Sequence, residues 1–177
     1  IDIDVKDNLQ LALEKLRDIV STLEVRHDVN VNELWYFFSG SKGFHLCIPS
    51  AMIGVVPSAE IALHYKRFAQ ELLKPMNLSY DSSIYDIVRL WRTPNTINSK
   101  SGLYKVQLTP AEIWLDIEQI VELAKSPRQI EYIADSVANE SLTALYKSVQ
   151  EKPTVSGEII IGDGIPKYEK PCIYKMM

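Results

Sequence analysis

The sequence FFSGSKGFHLCIP, residues 37–49, predicts a β-hairpin. Two apolar runs, Leu34–Phe38 and Phe44–Ile48, flank the short loop Ser39–Gly43. Aromatic and branched residues favour strands, and glycines favour the turn between them. We therefore expect the rest of the chain to be organised around this pair of strands.

The loop of this hairpin carries chemical groups that bind phosphate. The turn leaves backbone N–H groups available beside Ser39 and Lys42, and His45 follows on the second strand. Oriented N–H donors, a hydroxyl group and a point charge together can hold a phosphate. The GxxxxGK[ST] order of a Walker loop is absent. A structural hairpin with a lone histidine is the alternative that this stretch leaves open.

Length and composition predict one substantial hydrophobic core. The chain has 177 residues, of which 46% are hydrophobic, and a second small unit is expected to begin near its end. The sequence shows neither an apolar run of membrane-spanning length nor a charged-then-apolar leader, so we expect no membrane span and no secretion. Cys47 and Cys172 lie far apart and make neither a disulfide framework nor a CxxC metal site. These features predict a cytoplasmic protein in a reducing environment.

Charge is unevenly distributed along the chain. The net charge is −4, yet residues 86–106 carry a net charge of +3. A basic segment on an acidic protein is typical of a site for a polyanion, although a solvated basic loop would explain the same charges. The charged residues of this segment are Arg89, Arg92, Lys100, Lys105 and Asp86.

The first five residues, IDIDV, predict a strand with two carboxylates on one face. Alternation places Asp2 and Asp4 together and the apolar residues on the other side. Carboxylates about 7 Å apart along a strand can converge on hard divalent cations, which prefer oxygen ligands. An edge strand with a polar outer face is the structural alternative. Because the sequence begins inside a strand, we also expect upstream strands to be missing from it.

Hydrophobic periodicity predicts several further elements. An apolar stripe predicts an amphipathic helix over residues 7–25, and Thr109-Pro110-Ala111-Glu112 is a capping box that begins a later helix. From Gln150 onward glycines and prolines accumulate, which predicts a linker over 150–170 and a further unit starting at 171–177. The remaining predicted elements are helices over 57–74, 109–125 and 127–149 and a strand over 103–108.

Three segments, taken in order, resemble the catalytic motifs of the archaeo-eukaryotic primase superfamily. That family has a DxD on a strand, an SGxRGxH-like loop, and an aspartate shortly before an RLxRxPxSxHxKTGL-like segment. The corresponding residues here are Asp2-Ile3-Asp4, then SGSKGFH at 39–45, then Asp81 followed by RLWRTPNTINSKSGL at 89–103. The resemblance extends over residues 1–109.

The resemblance implies a two-metal site. Asp2, Asp4 and Asp81 would hold two Mg²⁺ or Mn²⁺ ions. One ion would activate the 3′-hydroxyl of the primer or first nucleotide, and the other would stabilise the leaving pyrophosphate in an in-line displacement. Asp86 is a rival for the third position, but the family spacing favours Asp81, ahead of the short turn before the arginine pair.

The resemblance also implies which residues contact phosphates. Ser39, Lys42 and His45 would contact the incoming triphosphate, where the lysine and histidine neutralise charge as pyrophosphate departs, so His45 is expected to be catalytic. Lys42 replaces the commoner arginine and loses its bidentate fork, and Asn98 stands where the family often has histidine. The residues expected along the triphosphate or the template backbone are Arg89, Arg92 and Lys100.

By this resemblance, residues 1–149 are identified as a primase-polymerase catalytic core. We expect an α/β (α+β) domain with an RRM-like mixed sheet bearing the carboxylates and helices packed behind it. Pro171-Cys172-Ile173 resembles the opening of the helical domain of phage and plasmid primases, so the chain looks cut at both ends. The implied activity is DNA primase/polymerase: nucleotidyl transfer from nucleoside triphosphates on single-stranded DNA, with divalent metal and no organic cofactor. A replicative helicase in the same chain or complex is the implied partner.

Two other functions are compatible with the same residues. A metal-dependent phosphoesterase or nuclease would use the same aspartates and histidine, and would cleave a strand without needing a triphosphate. A non-catalytic replication module would bind single strands through residues 86–106, with Tyr85, Trp91 and Tyr104 as stacking aromatics. Such a module would bind without metal and would tolerate loss of the two N-terminal aspartates.

Overall fold

The computed structural model describes residues 1–76, 80, 82–86, 88, 90–131 and 136–151. Within these residues it contains five α-helices and one four-stranded sheet. The predicted α+β class is confirmed, although the described strands are all antiparallel to their neighbours rather than mixed. In chain order the elements are β1 (Asp2–Asp4), α1 (Leu9–His27), β2 (Trp35–Phe38), β3 (Gly43–Cys47), α2 (Ser50–Ile53), α3 (Ile61–Leu73), β4 (Val106–Leu108), α4 (Ile117–Leu123) and α5 (Glu140–Gln150).

The predicted hairpin forms the centre of the sheet. β2 pairs with β3, with Phe37 opposite His45, and the strand order is β1-β3-β2-β4. β1 and β2 run in the same direction, because each is antiparallel to the β3 strand between them. Helix α1 connects β1 to β2, so the first three strands and this helix form a split βαβ unit.

One face of the sheet encloses the hydrophobic core with α1. Ile3, Phe38 and Phe44, from three adjacent strands, are each 2% exposed or less and belong to the same cluster as the buried stripe of the helix. Because successive side chains of a strand point to opposite faces, this packing directs Asp2 and His45 to the other face of the sheet. The core therefore determines where the polar groups lie.

Side-chain caps set the limits of the helices near the sheet. Asn8 Oδ1 accepts a hydrogen bond from Leu11 N at 2.9 Å, so α1 begins two residues later than the predicted start at residue 7. The predicted capping box forms, since Thr109 N donates to Glu112 Oε2 at 2.8 Å and Glu112 N donates to Thr109 Oγ1 at 3.3 Å. It begins only one 3₁₀ turn, however, and a second box at Asp116 begins α4, so the helix predicted over 109–125 is divided.

Among the described residues of the range 127–149, the predicted helix is present only as α5. Residues before it lie along β4 and the loop that precedes β4: Arg128 N donates to Asn95 Oδ1 at 2.9 Å, and Glu131 N donates to Gln107 Oε1 at 2.8 Å. Side chains from elsewhere in the fold thus satisfy main-chain donors that a helix would otherwise pair. Long-range contacts override the local periodicity here.

Some predictions fall outside the described residues. Asp81 and Arg89 are among them, as are nearly all of the predicted linker and the unit expected at 171–177. Within the part of the chain that is described, no helix combines the length and apolar character needed to cross a membrane.

Candidate active site

The outer face of the sheet carries the two N-terminal carboxylates. Asp2 lies opposite His45 across the β1–β3 pair, and Asp4 lies opposite Gly43. His45 Nε2 is 3.5 Å from Asp2 Oδ1. The strand register therefore brings the DxD pair next to the loop and histidine of the second motif.

The loop between β2 and β3 is closed tightly against β1. Ser39 N donates to the Gly43 carbonyl at 2.9 Å, and the Ser39 hydroxyl accepts from Gly43 N at 3.2 Å. A Cβ on Gly43 would overlap Asp4 Oδ1 and the main-chain oxygen of Ile3. Only glycine lets the loop approach the strand that carries the carboxylates.

Lys42 places its ammonium group at the mouth of this site. Its Nζ is 2.8 Å from Asp4 Oδ2, and its side chain is 63% exposed. An exposed lysine on a flexible stem can exchange one anionic partner for another at little cost. Lys42 therefore neutralises a carboxylate in this structure and can turn to a phosphate oxygen.

His45 is a buried and uncharged imidazole. Burial, followed by the positive charge of Lys105, lowers the pKa of His45 to about 3. Its Nδ1 is buried without a hydrogen-bond partner, and its ring lies 4.4 Å from the ring of Trp91. A neutral imidazole offers one N–H hydrogen-bond donor and one acceptor nitrogen.

Residues 90–102 lie beside the hairpin loop and complete the site. Arg92 Nη2 donates to the Ser39 carbonyl, and Ser101 Oγ donates to the Gly40 carbonyl. Asn98 Oδ1 accepts a hydrogen bond from Lys100 N at 3.0 Å, so Asn98 closes the turn that presents Lys100. These bonds join the third motif to the second.

Lys105 is a buried residue beneath the site that the sequence indicated only as part of the basic segment. It is fully buried, and its Nζ donates to the Arg92 carbonyl at 2.8 Å. The ammonium also lies 4.8 Å from the Trp91 ring centre and 5.1 Å from that of Phe37. Burial lowers the pKa of Lys105 to about 8. Successive residues of a strand point to opposite faces, and Val106 is a core residue. This alternation could have predicted that Lys105 points to the outer face.

One open cavity of about 580 Å³ brings the three motifs together. Seven of the nine predicted site residues line it, and the other two, Asp81 and Arg89, lie outside the described residues. The cavity combines carboxylate, cationic and imidazole side chains. The seven residues are Asp2, Asp4, Ser39, Lys42, His45, Arg92 and Lys100.

The carboxylates fit a divalent cation that is shared with a substrate. Among the described residues, no three His, Cys, Asp or Glu side chains form a group that could hold a metal ion by itself. Asp86 is exposed, and its Oδ1 accepts from Val88 N at 2.7 Å. Mg²⁺ is commonly held by one or two carboxylates together with substrate phosphates, and Asp2 and Asp4 provide that minimal set.

Comparison with known proteins gives one family match. The family model described as DNA primase small subunit matches residues 1–100. That range includes the DxD strand, the hairpin loop and the segment containing Arg92 and Lys100. Searches among curated proteins and among solved structures gave no match.

Proposed function

Because the chain belongs to the DNA primase small subunit family, we propose that it joins nucleoside triphosphates into primers on a single-stranded DNA template. The proposal includes a requirement for divalent metal. The observation that carries it is the cavity in which Asp2 and Asp4 meet the hairpin loop and the cations of the third motif. A nucleotidyltransferase needs these three components within reach of one substrate.

We assign the metal-binding role to Asp2 and Asp4, with Asp81 as the third carboxylate. Their hard oxygen atoms match the preference of Mg²⁺ and Mn²⁺. Bound there, such ions would activate a 3′-hydroxyl and stabilise the charge of a departing pyrophosphate. The ion pair between Lys42 and Asp4 supports this role, since it shows that the exposed side of the site already attracts a cation.

We assign triphosphate binding to the loop and the neighbouring basic residues. Lys42 and Lys100 are exposed cations on the same cavity, and each can approach a phosphate oxygen as a point charge. His45 would contribute an N–H donor from a buried ring that lines the same cavity. Ser39 would act mainly by closing the loop, with Arg89 and Arg92 beside the phosphates or the template.

The proposed setting is DNA replication inside the cell, with a single-stranded template along the basic segment 86–106 and a replicative helicase in the same chain or complex. Resemblance to phage and plasmid primases suggests a mobile genetic element. The net positive charge of the segment supports contact with a polyanion, which would make template affinity fall with added salt.

Primer synthesis by an isosteric double variant tests the proposal. Wild type and Asp2→Asn/Asp4→Asn are incubated with single-stranded DNA, labelled nucleoside triphosphates and Mn²⁺. The variant should lose product by at least about 100-fold, since metal ions supply several kcal/mol of transition-state stabilisation. Asp18→Asn, an exposed position on α1, is the matched control and should keep full activity.

Other outcomes would point to the rival functions. Cleavage of the DNA in the absence of triphosphate, abolished in the double variant, would indicate a nuclease. Template binding that needs no metal, with no synthesis by the wild type, would indicate a non-catalytic module. Either result would overturn the primase proposal.

A further inference from the structure

A second cavity, of about 340 Å³, lies beside the candidate active site. Strand β3 and helices α2 and α3 form its inner wall, where five hydrophobic side chains are each 4% exposed or less. A concave site with a buried apolar wall and this volume is typical of those that hold small molecules. The five residues of the wall are Leu46, Ile53, Phe68, Ala69 and Leu72.

The lining of the second cavity is electrically neutral. None of the described residues that line it has a charged side chain, and the amino group of Ile1 donates a hydrogen bond to the Leu46 carbonyl at 2.7 Å. Its polar groups include the Cys47 thiol and the hydroxyls of Tyr65 and Tyr85, and burial raises the pKa of all three. A charged ligand would lose its hydration here without gaining a partner of opposite charge. The occupant must therefore be uncharged.

Trp91 connects the second cavity with the candidate active site, because its side chain lines both. The centre of its ring lies 4.4 Å from that of His45 and 4.8 Å from the Lys105 ammonium. A molecule in the second cavity would thus contact the side chain that packs on His45. These added contacts would favour the position in which Trp91 lines the active site.

We propose that the second cavity binds a small uncharged aromatic molecule with one hydrogen-bonding group, and that this ligand strengthens nucleotide binding through Trp91. Apolar cavities accept aromatic rings, and Tyr65, Phe68 and Tyr85 offer further ring contacts. A single hydroxyl on the ligand can pair with one of the neutral polar groups of the lining. The effect on nucleotide rests on the proposed function, whereas the ligand site stands without it.

Calorimetric titration of the full chain with p-cresol and p-hydroxybenzoate tests the ligand site. The two molecules share a phenol ring and differ in carrying a methyl group or a carboxylate. p-Cresol should bind at least about tenfold more tightly, since burial of an unpaired carboxylate is costly. Ala69→Leu, which extends a side chain into the cavity, should weaken p-cresol about tenfold or more. Ala62→Leu, on the same helix but outside the lining, is the control and should bind like wild type.

The dissociation constant of ATP, measured in Mn²⁺ with and without saturating p-cresol, tests the link through Trp91. Saturating p-cresol should tighten ATP binding about fivefold in the wild type, and ATP should tighten p-cresol by the same factor, because coupling between sites is reciprocal. Ala69→Leu should bind ATP but show no response to p-cresol. Ala69→Val adds less volume and serves the same purpose if the leucine variant does not fold.

The other outcomes are distinct. Equal binding of p-cresol and p-hydroxybenzoate, or unchanged p-cresol binding in both Ala69 variants, would place the ligand elsewhere and overturn the proposal. An ATP affinity that p-cresol lowers or leaves unchanged would also overturn it, because Trp91 would then not couple the two cavities. A wild type that prefers p-cresol as expected but binds no ATP would support the ligand site and reject the proposed function.

Discussion

The buried ammonium of Lys105 donates a hydrogen bond to the main-chain carbonyl of Arg92 at 2.8 Å. The two residues lie on either side of a turn, and two main-chain hydrogen bonds, from Asn95 N to the Lys105 carbonyl and from Lys105 N to the Thr96 carbonyl, hold the same segment together. Through this bond Lys105 fixes the stretch that carries both the Trp91 ring and the Arg92 guanidinium. A residue with no exposed surface thus positions two that line the cavity.

Replacing Lys105 by methionine should impair substrate binding without unfolding the protein. Methionine fills a similar volume and removes the cost of burying a charge, so stability at neutral pH should be equal or higher. The Arg92 carbonyl loses its charged donor, which is expected to raise the KM for nucleotide roughly tenfold. Steady-state kinetics and thermal unfolding of Lys105→Met measure the two effects separately.

The difference in stability between wild type and Lys105→Met should depend on pH. Because burial lowers the pKa of Lys105 to about 8 from 10.5, the unfolded chain binds more protons than the folded one between these values. The wild type should therefore gain stability relative to Lys105→Met as the pH rises from 8 toward 10. Lys125→Met, at an exposed lysine, should show no such trend. A Lys105→Met protein with a sharply lower Tm at pH 7 would contradict a positioning role.

Local patterns were sufficient to predict the hairpin and the DxD strand. The glycines at 40 and 43 and the flanking aromatic runs encode the turn within a few residues, and alternation assigns Asp2 and Asp4 to one face. The family match over residues 1–100 confirms the resemblance that these motifs suggested. Structural features encoded within about ten consecutive residues can be predicted from the sequence.

Contacts between residues that are distant in sequence could not be predicted from local patterns. The net charge of residues 86–106 counts Lys105 in the same way as an exposed lysine. Its burial depends on contacts with Trp91 and Phe37, which are distant in sequence. Near the start of the helix predicted over 127–149, Arg128 N instead donates a hydrogen bond to Asn95 Oδ1, 33 residues away. Both differences arise where tertiary contacts outweigh local preference.

The ion pair between Glu112 and Arg128 should increase the free energy of unfolding at pH values above the acidic range. Its two hydrogen bonds measure 2.6 and 3.0 Å. Burial alone would raise the pKa of Glu112, but hydrogen bonds from Arg128 and Thr109 lower it overall. Glu112→Gln should therefore cost about 1–2 kcal/mol at pH 7, measured by urea unfolding.

The sign of this effect can be checked by acidification. A lowered pKa in the folded state means that the stabilisation is present above the usual carboxyl pKa of 4.5 and is lost as the pH falls below it. The difference between wild type and Glu112→Gln should shrink steadily below pH 4.5. Glu14→Gln, at an exposed position inside α1, should behave like wild type throughout. A constant difference at all pH values would indicate a packing effect rather than an ionic one.

Gly43→Ala should damage both the sheet and the active site. The added methyl group would overlap Asp4 Oδ1 and the Ile3 carbonyl, so β1 must move away from β3, at a cost of about 1–3 kcal/mol. Displacing β1 also displaces the two carboxylates, and primer synthesis should fall even at temperatures where the variant is folded. Chemical denaturation and synthesis at low temperature are the measurements.

Gly102→Ala is the matched control for this steric effect. Gly102 has a φ of 72°, so alanine is strained there, but a Cβ at this position meets nothing within 4 Å. Its cost should be limited to the conformational strain of about 1–2 kcal/mol, with synthesis largely retained. If Gly102→Ala reduced synthesis as much as Gly43→Ala does, general loss of stability would explain both, and close contact between the loop and β1 would not be the cause. A larger loss for Gly43→Ala alone would tie activity to the position of Asp4.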